Sequence, residues 1–206
     1  MNSATYAIAA LVAFLLGSIP TGYILARARG VDIRKVGSGN IGATNVLRHL
    51  GKPAGITVLL IDALKGFVAC KYPFTMQAPI DEQLLSMLAG VCAILGHNFT
   101  PWLKFKGGKG IATSAGVLLA LFPAALGLIL SVWLIVFFLS KYVSLASIVA
   151  AVVLPIAVWA LEGTKQKVIL ATVLSALAIY KHRPNIQRLL KGEEHRFGKK
   201  AATQST

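Results

Sequence analysis

The chain has 206 residues, 56% of them hydrophobic, with a mean hydropathy of +0.71, too apolar for a soluble domain and fitting a polytopic membrane protein. Its 21 Lys and Arg against 7 Asp and Glu give a net charge of +14, which reads as positive-inside bias; the aromatics do not interleave the basic residues in a way that builds a stacking platform, so no nucleic-acid partner is expected. Cys70 and Cys92 lie in apolar stretches and read as small buried hydrophobes, and the His and Cys residues lack metal-ligand spacing, so no metal is expected.

Residues 4–26 form the first predicted span. No basic segment precedes them, and Arg27 and Arg29 follow, the pattern of an uncleaved helix with its N-terminus outside. The polar segment Val36–Gly51 comes next. Its Gly37-Ser38-Gly39-Asn40-Ile41-Gly42 run matches G-x-G-x-x-G, but a membrane helix precedes it where a dinucleotide fold needs a strand. The loop still suits an oxyanion. Glycines admit positive φ and close backbone approach, and successive N–H groups make an anion nest. Ser38, Asn40, Thr44 and Asn45 add neutral donors, and Arg48 adds a forked cation suited to phosphate.

Residues 53–72 form the second span. It carries Asp62 and Lys65 three positions apart; such charges are costly and usually paired, so a mutual pair is expected, with anchoring to the polar site as the alternative. A shorter span covers about 84–98 and ends near His97, which reads equally as a packed residue or a ligand. The segment Gly96–Thr113 is not a P-loop but has similar parts. Lys104, Lys106, Gly107, Gly108, Lys109 and Gly110 lead into a helix whose N-terminus attracts anions.

Residues 110–139 would make a helix of about 45 Å against a hydrocarbon core of about 30 Å, and Pro123 and Gly127 offer a break. With two spans there, the inner face carries 17 Lys and Arg, against only Lys71, Lys165 and Lys167 outside; with one, the split is 11 to 9. The positive-inside rule selects two spans. After the Ser140–Ser144 link come spans 142–161 and 165–181. The basic segment Lys181–Lys200 then carries His182, Asn185 and Arg188 on one helical face, with Pro184 ending or turning the chain. The expected fold is an all-α integral membrane protein of seven transmembrane helices, N-terminus outside and C-terminus cytoplasmic. It forms one domain over 1–198, followed by a polar, mobile tail over 199–206.

All four polar segments then share one face, rich in donors for an anion and poor in bases. No His has Asp five positions on, which removes the His-x4-Asp pair of ordinary glycerolipid acyltransferases, and no G-x-S-x-G elbow occurs. These residues suit a membrane enzyme or carrier for a phosphate-bearing lipid precursor. A transporter of a phosphorylated solute is the alternative, but it needs polar groups near the midplane, where only Asp62 and Lys65 lie inside a span. A lipid phosphatase lacks a nucleophile or metal cluster.

GSGNIGATNVLR, GHNFTPWLKFKGGKGIAT and HRPNIQRLLKGEE, with GSIPTGYILARARGVDIRKVG before them and DALKG between, occur in order. Together they resemble the bacterial acyl-phosphate:glycerol-3-phosphate acyltransferases of the PlsY type. The resemblance implies acyl transfer from acyl phosphate to the 1-hydroxyl of glycerol 3-phosphate, giving lysophosphatidic acid and inorganic phosphate. It implies a cytoplasm-facing site in the bacterial inner membrane, membrane lipid as surroundings, no cofactor, and a monomer. By position, Ser38, Arg48, Lys109, His182 and Asn185 are expected to act on the reacting groups. Gly37, Gly39, Asn40, Thr44, Asn45, His97, Lys104, Lys106, Gly107, Gly108, Gly110, Thr113, Ser144, Arg188 and Glu194 are expected to bind substrate, Glu194 being preferred over Glu193 as the motif acid.

Overall fold

A computed structural model describes residues 3–72 and 81–198; the tail expected at 199–206 lies outside the described residues. Among the described residues there is helix and loop and no strand. The chain divides into two compact units, Met1–Leu126 and Gly127–Thr206.

In the first unit, the span expected unbroken over 4–26 is two helices, α1 (Ser3–Ser18) and α2 (Thr21–Arg27). Pro20 is the cause, since it has no N–H to continue the ladder and its ring clashes one turn back. The carbonyls released at this break find other donors. Thr100 Oγ1 donates to Ser18 O at 2.6 Å, and Lys65 Nζ donates to Ile19 O at 3.0 Å. The segment 36–51, expected as loop, turns helical at Ala43 and runs on as α3 (Ala43–Lys71). Pro53 interrupts the ladder there, and Gly51 takes up the bend at φ 85°. After α4 (Glu82–Asn98) comes a 3-10 turn, Pro101–Leu103, and then α5 (Ile111–Leu121).

Pairs of glycines bring these helices together. A Cβ on Gly17 or Gly96 would strike the facing backbone of Ala93 or Phe14, so α1 and α4 cross closely. Gly66 and Gly116 do the same for α3 and α5 against the carbonyls of Thr113 and Ala63. Where lipid is as apolar as side chains, such close backbone packing drives association. Ala26, Ile33, Ile41, Val46, Ala54, Val58 and Leu103 form a buried core under the first glycine loop.

The stretch 110–139 breaks at Phe122, ahead of Pro123, as the sequence suggests, and α6 (Pro123–Ser140) follows. Most of α6 belongs to the second unit, with α7 (Val143–Glu162), α8 (Lys165–Lys181) and α9 (Arg183–Leu190). There α7 packs on α8, α9 touches both, and Trp133 Nε1 of α6 donates to Ser147 Oγ of α7 at 3.1 Å. Pro184 separates α9 from α8 in the way its position predicts.

Among the described residues, five stretches are long and apolar enough to cross a membrane: Ser3–Arg27, Ala43–Lys71, Glu82–Leu103, Pro123–Ser140 and Val143–Glu162. α5, with 11 residues, and α8, with 17, fall short of that length. The described chain is thus an all-α, multi-pass membrane protein.

Candidate active site

In the first unit the glycine loop is organised around one amide. Asn45, 2% exposed, donates Nδ2 to the carbonyls of Ile33, Val36 and Asn40 at 3.2, 3.1 and 2.9 Å. Two N–H bonds serve three acceptors, so one is shared. Its Oδ1 accepts from Ser38 N at 3.2 Å, and Asn40 Oδ1 accepts from Gly42 N at 2.7 Å. Gly37 and Gly39 hold φ of 57° and 69°. A Cβ on Gly37 would also strike Asn45 and His49. The loop delivers Ser38, Asn40 and Thr44, all half-buried, to the start of α3, and Arg48 follows Thr44 one turn later. Asp32, just before, accepts from Arg34 in a 2.7 Å ion pair. That hydrogen-bonded guanidinium holds its carboxyl down at about 2, so Asp32 adds no unpaired negative charge to the loop.

The second loop lies against the end of α4. Gly107 N donates to Asn98 O at 3.2 Å, and Gly108 N donates to His97 O at 3.0 Å. A Cβ on Gly107 would strike the His97 carbonyl, and one on Gly108 would strike His97 Nε2. Gly110, at φ 81°, caps α5. Lys104 and Lys106 are exposed, whereas Lys109, set between buried Gly108 and Gly110, is half-buried. Beside Trp102, an apolar cleft of about 350 Å³ is lined by Ile19, Pro20, Tyr23, Ile24, Trp102 and Leu103.

In the second unit one carboxylate gathers the polar groups. Glu194 Oε1 accepts from Ser144 Oγ at 3.0 Å and from Asn185 Nδ2 at 2.9 Å; Oε2 accepts from Arg188 Nε at 2.8 Å. Burial pushes its pKa up, but the bonds from Asn185, Ser144 and Arg188 outweigh burial and hold it below the ordinary value. The neighbouring Glu193 is exposed. His182, 3% exposed, has Nδ1 at 2.7 Å from Ala178 O. A carbonyl only accepts, so Nδ1 carries the proton and the neutral ring has its lone pair on Nε2.

Several expected ligands have tasks inside the protein. Asn45 ties the first loop, and Glu194 braces α9 to the start of α7. Thr113 is fully buried, with its backbone carbonyl against Gly66. His97 lies against the second loop, its carbonyl accepting from Gly108 N and its Nε2 where a Cβ on Gly108 would stand. Asn45, Glu194 and His97 share a reason: each is held by backbone or by a charge that spacing alone does not bring near, whereas the Thr113 hydroxyl is buried without a hydrogen bond. Lys65, expected as the partner of Asp62 or as an anchor to the polar site, is not among the expected site residues. Its signal is a cation inside a span, three positions from Asp62; the two pair at 2.8 Å. Among the described residues, no group of three or more His, Cys, Asp or Glu could hold a metal ion.

Comparison with known proteins shows the family. Residues 7–192 match the family described as glycerol-3-phosphate acyltransferase. The chain is 46% identical over 198 residues to a glycerol-3-phosphate acyltransferase of Agrobacterium fabrum, covering 96% of this chain and 94% of that one. It is 47% identical over 195 residues to glycerol-3-phosphate acyltransferase 2 of Moorella thermoacetica, covering 94% and 98%. The crystal structure of PlsY (YgiH), an integral membrane glycerol 3-phosphate acyltransferase, in its glycerol 3-phosphate form, is similar with a TM-score of 0.87 and 42% identity, covering 94% of this chain and 96% of that one. The lysophosphatidic acid form gives 0.84 at 42% identity, covering 94% and 95%.

Proposed function

The chain belongs to the glycerol-3-phosphate acyltransferase family, and from that premise we propose that it acylates the 1-hydroxyl of glycerol 3-phosphate from acyl phosphate. The hydroxyl oxygen attacks the acyl carbon, the bond from that carbon to the phosphate oxygen breaks, and lysophosphatidic acid and inorganic phosphate leave. The observation that carries the reading is the Gly107–Gly110 loop. Its backbone is pressed so closely on α4 that Gly107 and Gly108 admit no side chain, and half-buried Lys109 stands at the entrance to α5. Such a loop suits a phosphate. In this reading it binds glycerol 3-phosphate through Lys109, with Lys104 and Lys106 attracting the anion from the surface.

Ser38, Asn40, Thr44 and Arg48 hold the acyl phosphate, and the lipid tail runs along the apolar cleft at Trp102 or in the bilayer. Acyl phosphate is a mixed anhydride with a good leaving group, so alignment and charge stabilisation supply the catalysis. A substrate phosphate oxygen takes the hydroxyl proton. A second reading gives that proton to His182, favoured by the lone pair its bond to Ala178 O leaves on Nε2. Asn185 positions groups beside His182, and no cofactor enters.

Seven spans, the N-terminus outside, and a cytoplasmic site and C-terminus in the bacterial inner membrane belong to the same proposal. It rests on the one-sided charge, with α5 and α8 as short spans. Residues 1–198 serve as one acyltransferase domain in a monomer.

The test is phosphate release by the purified protein given palmitoyl phosphate, with and without glycerol 3-phosphate, and palmitoyl-CoA in a parallel reaction. Release that requires glycerol 3-phosphate and yields lysophosphatidic acid, with no product from the CoA donor, is the expected result. Release without the acceptor would mean a hydrolase. Binding of glycerol 3-phosphate without turnover would revive the transporter.

A further inference from the structure

Three side chains buried in the first unit form a network, Asp62, Lys65 and His97, exposed by 2, 4 and 5%, and of these only His97 is among the expected site residues. Lys65 Nζ lies 2.8 Å from Asp62 Oδ1, 3.0 Å from Ile19 O and 2.9 Å from His97 Nδ1. An ammonium has three N–H bonds and no lone pair, so it donates to Ile19 O and His97 Nδ1 and meets Asp62 as an ion pair. Those partners lie at the proline break between α1 and α2, on α4, and on α3 itself.

The bond to His97 has a chemical consequence. Lys65 donates to Nδ1, so Nδ1 holds the lone pair and the neutral ring carries its proton on Nε2. An imidazolium would set an N–H against the ammonium at 2.9 Å. Asp62 Oδ1 is 3.8 Å from Nδ1, too far to hold a proton there. Nε2 in turn occupies the place where a Cβ on Gly108 would stand, and the His97 carbonyl accepts from Gly108 N. The ring is thus a floor for the Gly107–Gly110 loop, and its rotation and tautomer are set from behind by Lys65.

A purely mechanical link between helices does not require buried ions, because apolar residues of similar volume often serve as well or better. What they cannot do is fix a tautomer. We infer that Lys65, held by Asp62, is a positioning residue that locks His97 as the Nε2–H tautomer and so sets the loop for the glycerol 3-phosphate phosphate group. The part concerning substrate rests on the function proposed above; the tautomer does not.

The experiment has two arms on the full chain. In the first, nitrogen-15 NMR of histidine-labelled protein in detergent reads the state of each ring, with His97→Phe identifying the His97 signals. The expected result is a neutral Nε2–H ring at His97 that loses this preference in Lys65→Met. An Nδ1–H ring or an imidazolium in the unaltered protein overturns the inference. The second arm measures steady-state acylation. Lys65→Met should raise KM for glycerol 3-phosphate at least about tenfold, the size of one charge-assisted bond, while KM for palmitoyl phosphate stays within about twofold. Should Lys65→Met not fold, His97→Phe keeps the ring volume, removes the acceptor and is expected to show the same split. A folded variant with both KM values unchanged, or with both raised together, overturns the positioning role. Unaltered protein that shows the Nε2–H ring, and its loss in Lys65→Met, but acylates nothing would support the tautomer lock and sink the functional reading.

Discussion

Asn185 and Glu194 meet at 2.9 Å, the amide of α9 donating to a carboxylate beyond the end of the same helix. Ser144 and Arg188 complete the set around that carboxylate. Its three donors come from two helices and leave little capacity for a ligand, so the acid acts as a brace. Glu194→Gln keeps the shape and removes the charge. It should destabilise the protein by about 1.5–3 kcal/mol, the range for bonds to charged groups, seen as a lower Tm in detergent.

The same carboxylate gives a pH dependence. Its folded-state pKa lies below the ordinary value of 4.5, so the native state binds its proton less readily than the unfolded chain. The stability it contributes is therefore present above about pH 4.5 and is lost as pH falls through the folded value. Thermal unfolding between pH 3 and 7 should show this loss in the unaltered protein and less of it in Glu194→Gln. Parallel curves for the two proteins would refute it.

Glycine contacts separate packing from propensity. A Cβ on Gly66 would strike the Thr113 carbonyl of α5, whereas one on Gly127 meets nothing within 4 Å. Gly66→Ala should cost about 1–3 kcal/mol as overpacking. Gly127→Ala, inside α6, should be neutral or stabilise by up to about 1 kcal/mol. Tm values of the two variants check the contrast, and equal shifts would contradict the close α3–α5 contact.

The prolines show how much of the fold is legible. Pro123 and Pro184 mark real helix ends because each falls where length or charge already demands one. Pro20 marks an equally real break, yet averaged hydropathy runs through it, since one missing N–H does not change the apolar character of residues 4–26. In the site, the two glycine loops and the basic residues are visible as composition. The capture of Asn45 by three carbonyls and the reach of Lys65 to His97, 32 residues away, are not, because they depend on how loops and helices fold back. Spacing shows which groups could meet a ligand; it does not show which have been taken by the protein.

The lysines of the second loop should differ in effect. Lys109 is half-buried between two glycines, while Lys104 and Lys106 are exposed. Exposed charges act in water and contribute little, so Lys104→Met and Lys106→Met should change KM for glycerol 3-phosphate by less than about threefold. Lys109→Met should raise it, or lower kcat/KM, by about ten- to a hundredfold, the equivalent of one charge-assisted bond. Equal losses at the three positions would mean that the loop works by its field alone. In the first loop, Arg48→Lys keeps the charge but loses the planar fork, and should lower kcat/KM for acyl phosphate by a similar factor.

A variant at His182 separates the two readings of where the proton goes. Its Nδ1 donates to Ala178 O, so the neutral ring keeps its lone pair on Nε2, and a base role is chemically open. The leaving group argues otherwise. In the proposed reaction phosphate departs from an activated acyl carbon, and a phosphate oxygen next to the attacking hydroxyl can accept the proton without help from imidazole. His182→Gln retains an amide in place of Nε2 and should keep kcat within about tenfold, with the pH–rate profile unmoved, because a general base contributes about 10²–10⁴-fold. A fall of that larger size, with the acidic limb of the profile lost, would assign the proton to His182. The two results exclude each other, since a ring that carries the proton in the transition state cannot be replaced by an amide that does not titrate.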